Sequence, residues 1–235
     1  RAVDRPQQLE PFRILRSALD FGAVARRLDN ILVTSAVTGE GKTTVAVDLA
    51  HAFALAGRRV VLVELDLRRP TFAAHFDLDP QRGVTTALLD HKIPVRELLV
   101  TPIDELPELA VLPSGALPPN PAELLGSPAL NDLLAELGGR DTTIVIDAPP
   151  LVPVADTHEL LGHSHVHGVL VVARLGYTTR DKVRQARAIL DRHPATQLLG
   201  LVVTNVRDER GYAYDVRARG GAPRSHEPHR LGARA

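Results

Sequence analysis

A glycine-rich segment with a single lysine, residues 36–44, carries the clearest chemical signal in the chain. It reads Ala-Val-Thr-Gly-Glu-Gly-Lys-Thr-Thr, follows the apolar run 31–33 and opens an Ala/Leu-rich stretch. Glycines allow backbone conformations in which successive N–H groups point at one anion. The N-terminus of the following helix, which carries the positive end of the helix dipole, attracts the same anion. We therefore expect a nucleoside triphosphate to bind at Thr38, Gly39, Glu40, Gly41, Lys42, Thr43 and Thr44.

The residue types within this segment suggest separate roles. Lys42 would bridge the terminal phosphates, and the hydroxyl of Thr43 would ligate Mg²⁺. Lysine is scarce here, with three lysines against 25 arginines, so its retention at position 42 favours a site that needs a compact ammonium. The segment departs from GxxxxGK[ST] at Ala36 only. The alternative is a glycine turn before an ordinary helix.

Two further apolar runs end in carboxylates. Run 60–65 leads to Glu64 and Asp66, whose spacing places both carboxyls on one side of an extended chain. Run 143–147 ends at Asp147, as in a Walker B strand. Parallel strands deliver their ends to the ligand crevice, so these acids could organise a metal or accept a proton from an attacking hydroxyl. For Glu64 and Asp66 the alternative is a strand end made soluble by charge.

The elements that must position these groups follow a regular alternation. We predict buried strands at 31–35, 60–65, 109–112, 143–147, 168–173 and 198–204, with helical stretches between them. Strands that are apolar on both faces and separated by helices indicate a parallel sheet. An amphipathic helix is predicted from residue 9 to about residue 28, and the tail after Asn205 is expected to be disordered. The predicted domains are 1–29, 30–205 and 206–235.

Composition excludes several classes of protein. There is no cysteine, so disulfides, thiolate metal sites and Cys-ligated iron–sulfur clusters are excluded. The formal net charge is zero, which gives no global field for nucleic acid, and we expect no nucleic-acid partner. No apolar run approaches the length of a membrane span. Methionine is absent, at position 1 included, so we expect a segment of a longer polypeptide.

With these motifs in place, the chain resembles the bacterial tyrosine kinases (BY-kinases) from about Glu10 to Asn205. The resemblance rests on the three nucleotide motifs and on segments 66–70, 112–115 and 118–125. Partition and division-site ATPases carry a signature lysine where this chain has Val37, which argues against those relatives. The resemblance implies a P-loop NTPase fold, with a doubly wound, mostly parallel sheet flanked by helices.

The resemblance also implies an activity and its residues. It implies ATP- and Mg²⁺-dependent protein-tyrosine autokinase activity, with Lys42, Glu64, Asp66 and Asp147 as catalytic residues and Thr43, Asp66 and Asp147 around the metal. Further implied roles are nucleotide-base contact at Asn205, phosphoacceptors at Tyr212 and Tyr214, and a ring-forming ExxRxxR motif at Glu10, Arg13 and Arg16. The alternatives are an ordinary strand-ending residue at Asn205 and a solvated charged stripe at the ExxRxxR positions.

Partners and location follow from the same resemblance. It implies a ring of identical chains that regulates extracellular or capsular polysaccharide synthesis or export. A membrane-spanning chain-length regulator, fused or separate, would hold the chain at the cytoplasmic face of the membrane.

Two departures keep rival functions open. Glu64 stands where relatives usually carry the first Asp of the second nucleotide motif, and the tyrosine cluster is reduced to two residues. The main alternative is a non-kinase ATPase switch that docks to a membrane regulator. A third is a structural ring component that binds nucleotide for stability alone.

Overall fold

The computed structural model describes residues 9–23, 29–90, 92–139, 141–152 and 155–206. From residue 9 to Asn205, the described part of the chain forms one compact unit. Among the described residues, no helix combines the length and apolarity that a membrane crossing requires.

A six-stranded sheet forms the centre of this unit, and all of its strand pairs are parallel. In spatial order the strands are β3-β2-β4-β1-β5-β6. Their bounds are β1 Asn30–Ser35, β2 Arg59–Glu64, β3 Leu109–Leu112, β4 Thr142–Asp147, β5 Gly168–Arg174 and β6 Gln197–Thr204.

Helices occupy both faces of the sheet. They are α1 Glu10–Ala23, α2 Lys42–Ala54, α3 Phe72–Phe76, α4 Val84–Leu89, α5 Pro121–Leu125, α6 Pro128–Leu137, α7 Asp156–Leu161 and α8 Arg180–Leu190, with a 3-10 turn at Val95–Glu97. Side chains of β1 alternate between two buried apolar layers. Ile31 and Val33 pack in the layer beneath α2, and Leu32 packs in the layer that includes α6, α7 and α8.

The sequence-based prediction of the sheet is confirmed. Each of the six predicted strands is present, with ends that differ from the prediction by one residue at most. The predicted first helix begins at Glu10 and is described as far as Ala23. The proline-rich stretch 113–121 is a loop that ends where Pro121 begins α5. The tail 207–235 lies outside the described residues.

Candidate nucleotide-binding site

The glycine-rich loop, residues 36–41, joins the carboxyl end of β1 to the first turn of α2 at the centre of the sheet, and we call it the phosphate loop. Within it, Gly39 (φ 85°) and Gly41 (φ 92°) adopt left-handed backbone conformations that favour glycine. Ala36 has no positive φ and is buried in the core. The first position of the motif therefore does not require glycine here, which accounts for the departure from the usual pattern.

Four predicted site residues converge at the start of α2. The Nζ of Lys42 lies 2.7 Å from an oxygen of Asp66 and 3.5 Å from an oxygen of Asp147. The hydroxyl of Thr43 donates a hydrogen bond of 2.7 Å to the other oxygen of Asp147. One hydroxyl and two carboxylates are hard oxygen ligands of the kind that Mg²⁺ prefers, so this donor set fits the expected metal.

Burial sets the charge states at this point. Burial by itself lowers the pKa of Lys42, but the negative charges of Asp147 and Asp66 have a larger combined effect. The pKa of Lys42 is therefore raised overall, and its ammonium group remains protonated. Burial raises the pKa of Asp147 to about 6, against the opposing effects of Lys42 and Thr43. The ammonium of Lys42 thus lies between the side chains of Asp66 and Asp147, and phosphate oxygens would compete with these side chains for it.

Glu64 does not join this cluster. Its carboxylate is fully buried and accepts hydrogen bonds from three backbone N–H groups, those of Thr71, Phe72 (2.9 Å) and Ser114 (3.1 Å). Strand β2 ends at Glu64, so Glu64 and Asp66 do not continue one extended segment as the sequence suggested. The glutamate holds the segment before α3 and the loop after β3 against the end of β2.

Long-range contacts brace the phosphate loop from the β5 and β6 side. Thr178 donates to the buried carboxylate of Glu40, which also accepts from the N–H of Val37 at 2.8 Å. Thr204 donates to the carbonyl of Glu40 at 2.7 Å. The side chain of Glu40 thus stabilises the loop itself.

Arg174 and Tyr177 also contact the phosphate loop, and with Thr178 and Thr204 they form the set of contacts that we call the brace. Arg174 donates to the carbonyl of Gly39, and the Tyr177 hydroxyl donates to that of Thr38, each at 3.3 Å. These partners lie about 135 positions away in sequence, and no local pattern indicated them. Sequence reasoning missed this brace.

Two other motif residues have clear partners. Arg68 forms a bidentate pair with the fully buried Asp156, through bonds of 2.7 and 2.9 Å, which ties the segment after β2 to α7. Asn205, the predicted base contact, follows β6 with a φ of 60° and donates to the carbonyl of Leu175 at 3.1 Å. Asn205 lies beside Thr204, at the same edge of the sheet as the phosphate loop.

The ExxRxxR residues divide into two groups. Glu10 and Arg13 pair with each other at 3.4 Å and are exposed. Arg16 pairs with Asp20 at 3.5 Å, and Asp20 also pairs with Arg58 at 2.7 Å, so Arg16 belongs to a network within the chain. The predicted phosphoacceptors Tyr212 and Tyr214 lie outside the described residues.

Comparison with known proteins places this site in a family. The sequence profile of the CobQ/CobB/MinD/ParA nucleotide binding domain matches residues 31–217. Tyrosine-protein kinase YwqD of Bacillus subtilis is 37% identical over 191 residues, which cover 80% of this chain and 78% of that protein. Tyrosine-protein kinase ptk of Acinetobacter johnsonii is 31% identical over 172 residues; these cover 72% of this chain and 22% of ptk.

Solved structures agree with the sequence relatives. The kinase domain of the Escherichia coli tyrosine kinase ETK superposes with a TM-score of 0.80 at 26% identity, covering 91% of this chain and 82% of that one. Cobyrinic acid a,c-diamide synthase from Mycobacterium smegmatis, solved with a bound ATP analog and magnesium, gives 0.57 at 26% identity over 74% and 73%. The chain therefore belongs to the CobQ/CobB/MinD/ParA nucleotide-binding family and, within it, to the bacterial tyrosine kinases.

Proposed function

We propose that this chain transfers the γ-phosphoryl group of ATP to tyrosine, with Mg²⁺ as cofactor. The convergence of Lys42, Thr43, Asp66 and Asp147 within 2.7 to 3.5 Å at the start of α2 carries this proposal. Phosphoryl transfer depends mainly on positioning and charge neutralisation, and these residues supply both. Family membership favours tyrosine as the acceptor.

Each residue has a defined task in this proposal. Lys42 and the loop amides hold the phosphates, while Thr43, Asp66 and Asp147 would hold Mg²⁺. When bound, that ion neutralises charge on the phosphate oxygens. Asp66 accepts the proton of the tyrosine hydroxyl once the phosphates draw Lys42 away from it. Glu64 holds backbone N–H groups in place and does not take part in proton transfer. The presence of glutamate where relatives usually carry aspartate therefore does not argue against kinase activity.

The proposed acceptors are Tyr212 and Tyr214 of a neighbouring copy. Each added phosphate brings a charge of roughly −2 to a tail that carries seven arginines. Phosphorylation would therefore change how the tail interacts with a neighbour, and so couple modification to assembly.

Assembly itself is proposed to use the outer face of α1. Ile14 and Phe21 lie seven positions apart on that helix and are exposed, Phe21 by 82%. They lie on the helix that carries the exposed pair of Glu10 and Arg13, so an apolar stripe accompanies the charged motif. A second copy of this chain is the proposed partner, in a ring.

The biological setting is proposed from the family resemblance. We place the chain at the cytoplasmic face of the membrane, where a membrane-spanning chain-length regulator, fused or separate, would act with it in extracellular or capsular polysaccharide synthesis or export.

Incubation of the full chain with Mg-ATP, followed by mapping of phosphotyrosine, tests the activity. We expect phosphate on Tyr212 and Tyr214, and none in a Lys42→Met variant. ATP hydrolysis that leaves every tyrosine unmodified would instead support the ATPase switch. Stable nucleotide binding without turnover would support the structural ring component.

Size-exclusion chromatography at high protein concentration tests the assembly. Arg13→Ala and Phe21→Ser should each reduce the size of the assembly, because both side chains are exposed on α1. A wild-type monomer under these conditions would contradict the proposed ring.

A further inference from the structure

Tyr177 occupies an unusual position for one of only three tyrosines in the chain. It lies in the connection between β5 and α8, and its hydroxyl donates to the Thr38 carbonyl in the phosphate loop at 3.3 Å. A Cβ at Gly39 would stand 3.6 Å from the same hydroxyl oxygen. The phenol therefore rests directly on the backbone that must receive the nucleotide.

The contacts that hold Tyr177 in place are solvent-exposed. Tyr177 is 53% exposed, and the guanidinium of Arg174 lies over its ring at 5.6 Å from the ring centroid. Leu175 is also exposed, and Gly176 turns the chain with a φ of 76°. Exposed hydrogen bonds and cation–π contacts are weak, so the phenol can leave the loop readily.

The order of the strands separates Tyr177 from the carboxylates of its own site. Asp66 follows β2 and Asp147 ends β4, on one side of β1, whereas Tyr177 follows β5 on the other side. From β2 to β5 there are three strand spacings, which amount to about 14 Å. Within one chain the Tyr177 hydroxyl is bonded to the Thr38 carbonyl and Asp66 is paired with Lys42, so the phenol does not contact its own base, and the active site that modifies it belongs to a second copy.

We propose that Tyr177 is a third phosphoacceptor, modified by a second copy of the chain, and that its phosphorylation weakens nucleotide binding at its own loop. This inference rests on the proposed kinase function. In the step, the phenol oxygen bonds to the γ-phosphorus of ATP, the bond from that phosphorus to the β–γ bridging oxygen breaks, and ADP leaves. The phenol proton passes to Asp66 of the second copy.

The chemistry of the brace explains the effect on binding. A phosphorylated Tyr177 has no hydroxyl proton to donate to Thr38. In the unmodified protein Arg174 lies over the ring and donates to the Gly39 carbonyl. The phosphate dianion would pair with Arg174 instead, so the loop would lose its hydrogen bonds from both Tyr177 and Arg174. The added negative charge beside the loop also repels the phosphates of a nucleotide. Modification thus provides negative feedback on the kinase.

A variant with Tyr212→Phe and Tyr214→Phe tests the site directly, since Tyr177 is then the only tyrosine in the full chain. After incubation with Mg-ATP we expect one phosphoryl group per chain by intact mass, located on Tyr177 by peptide mapping. A wild type that is phosphorylated on its tail tyrosines, beside a double variant that stays unmodified, overturns the inference and leaves the kinase function standing. No phosphotyrosine in either protein overturns both.

A mixing experiment tests transfer between copies. An isotope-labelled acceptor carries Lys42→Met with both tail substitutions, so it cannot phosphorylate itself, and unlabelled wild type is the donor. We expect the labelled Tyr177 peptide to gain phosphate, and an acceptor with Tyr177→Phe added to gain none. An acceptor that remains unmodified overturns transfer between copies.

The effect on the loop is measured on the phosphorylated double variant before and after phosphatase treatment. We expect ADP to bind about tenfold more weakly to the phosphorylated form, because the loop loses its brace and gains a neighbouring dianion. Equal affinities would refute the feedback.

Discussion

Replacement of Glu64 by glutamine separates a positioning role from a catalytic one. The carboxylate receives two N–H groups on one oxygen, from Thr71 and Phe72, and the N–H of Ser114 on the other. A carboxamide in the same place can keep the first two bonds with its oxygen. Its NH₂ group would then face the N–H of Ser114, so two donors meet in a buried site.

The size of the effect follows from these contacts. An unsatisfied buried N–H costs about 1–3 kcal/mol. Burial raises the pKa of Glu64 even though the three amides lower it, so the glutamine variant also gains by not burying a charge. We therefore take the lower part of that range, about 1–2 kcal/mol, as the expected loss.

Urea unfolding measures this loss. For a chain of this size, with a slope of about 3 kcal/mol/M, the midpoint should fall by about 0.5 M. Phosphotransfer by the folded Glu64→Gln protein should stay within about threefold of wild type, since no reacting group changes. Asp66→Asn is the matched control, and it should lose phosphotransfer by at least about a hundredfold.

The opposite pattern would refute this reasoning. If Glu64→Gln unfolds at the wild-type midpoint and loses activity as severely as Asp66→Asn, then Glu64 takes part in the chemistry. The hydrogen bonds that Thr71, Phe72 and Ser114 donate to Glu64 would then contribute little to stability.

Three further predictions concern the framework around the site. Burial raises the pKa of Asp147 to about 6, so between about pH 4 and about pH 6 the native state still binds a proton that the unfolded chain has released. The free energy of unfolding of the nucleotide-free protein should therefore fall as the pH rises through this range. Urea unfolding at several pH values should show a weaker dependence of this free energy on pH for Asp147→Asn. Gly83→Ala would place a Cβ 2.0 Å from the Pro113 carbonyl oxygen and should cost roughly 3 kcal/mol or more in thermal melts, whereas Gly22→Ala, with nothing within 4 Å, should not destabilise the protein. Arg68→Ala would leave the fully buried Asp156 unpaired and should cost about 3 kcal/mol in urea unfolding, whereas alanine at the neighbouring exposed Arg69 should change stability little.

Much of the fold could be predicted because its signals are local. Six short β-branched runs separated by helical stretches indicated the parallel sheet, and the strand ends agree to within one residue. The glycine loop after β1 and the acids that end or follow β2 and β4 then had to meet at one edge, because parallel strands share their direction. Lys42, Thr43, Asp66 and Asp147 are brought together as the sequence suggested.

Spacing alone misled at Glu64. The alternation of side chains along an extended chain put Glu64 and Asp66 on one side, but β2 ends at Glu64, and the backbone beyond it sends the two carboxylates to different partners. Where a strand ends depends on its neighbours in the sheet.

The sequence by itself determined the phosphate loop, the strands and the acids at their ends, since backbone conformation and periodic burial are properties of neighbouring residues. Only the tertiary structure decided which side chains converge at the start of α2 and which hold the backbone. The amide partners of Glu64 and the brace of Arg174, Tyr177, Thr178 and Thr204 on the loop join distant segments. Such contacts depend on distances in the folded chain, and no spacing along the sequence encodes them.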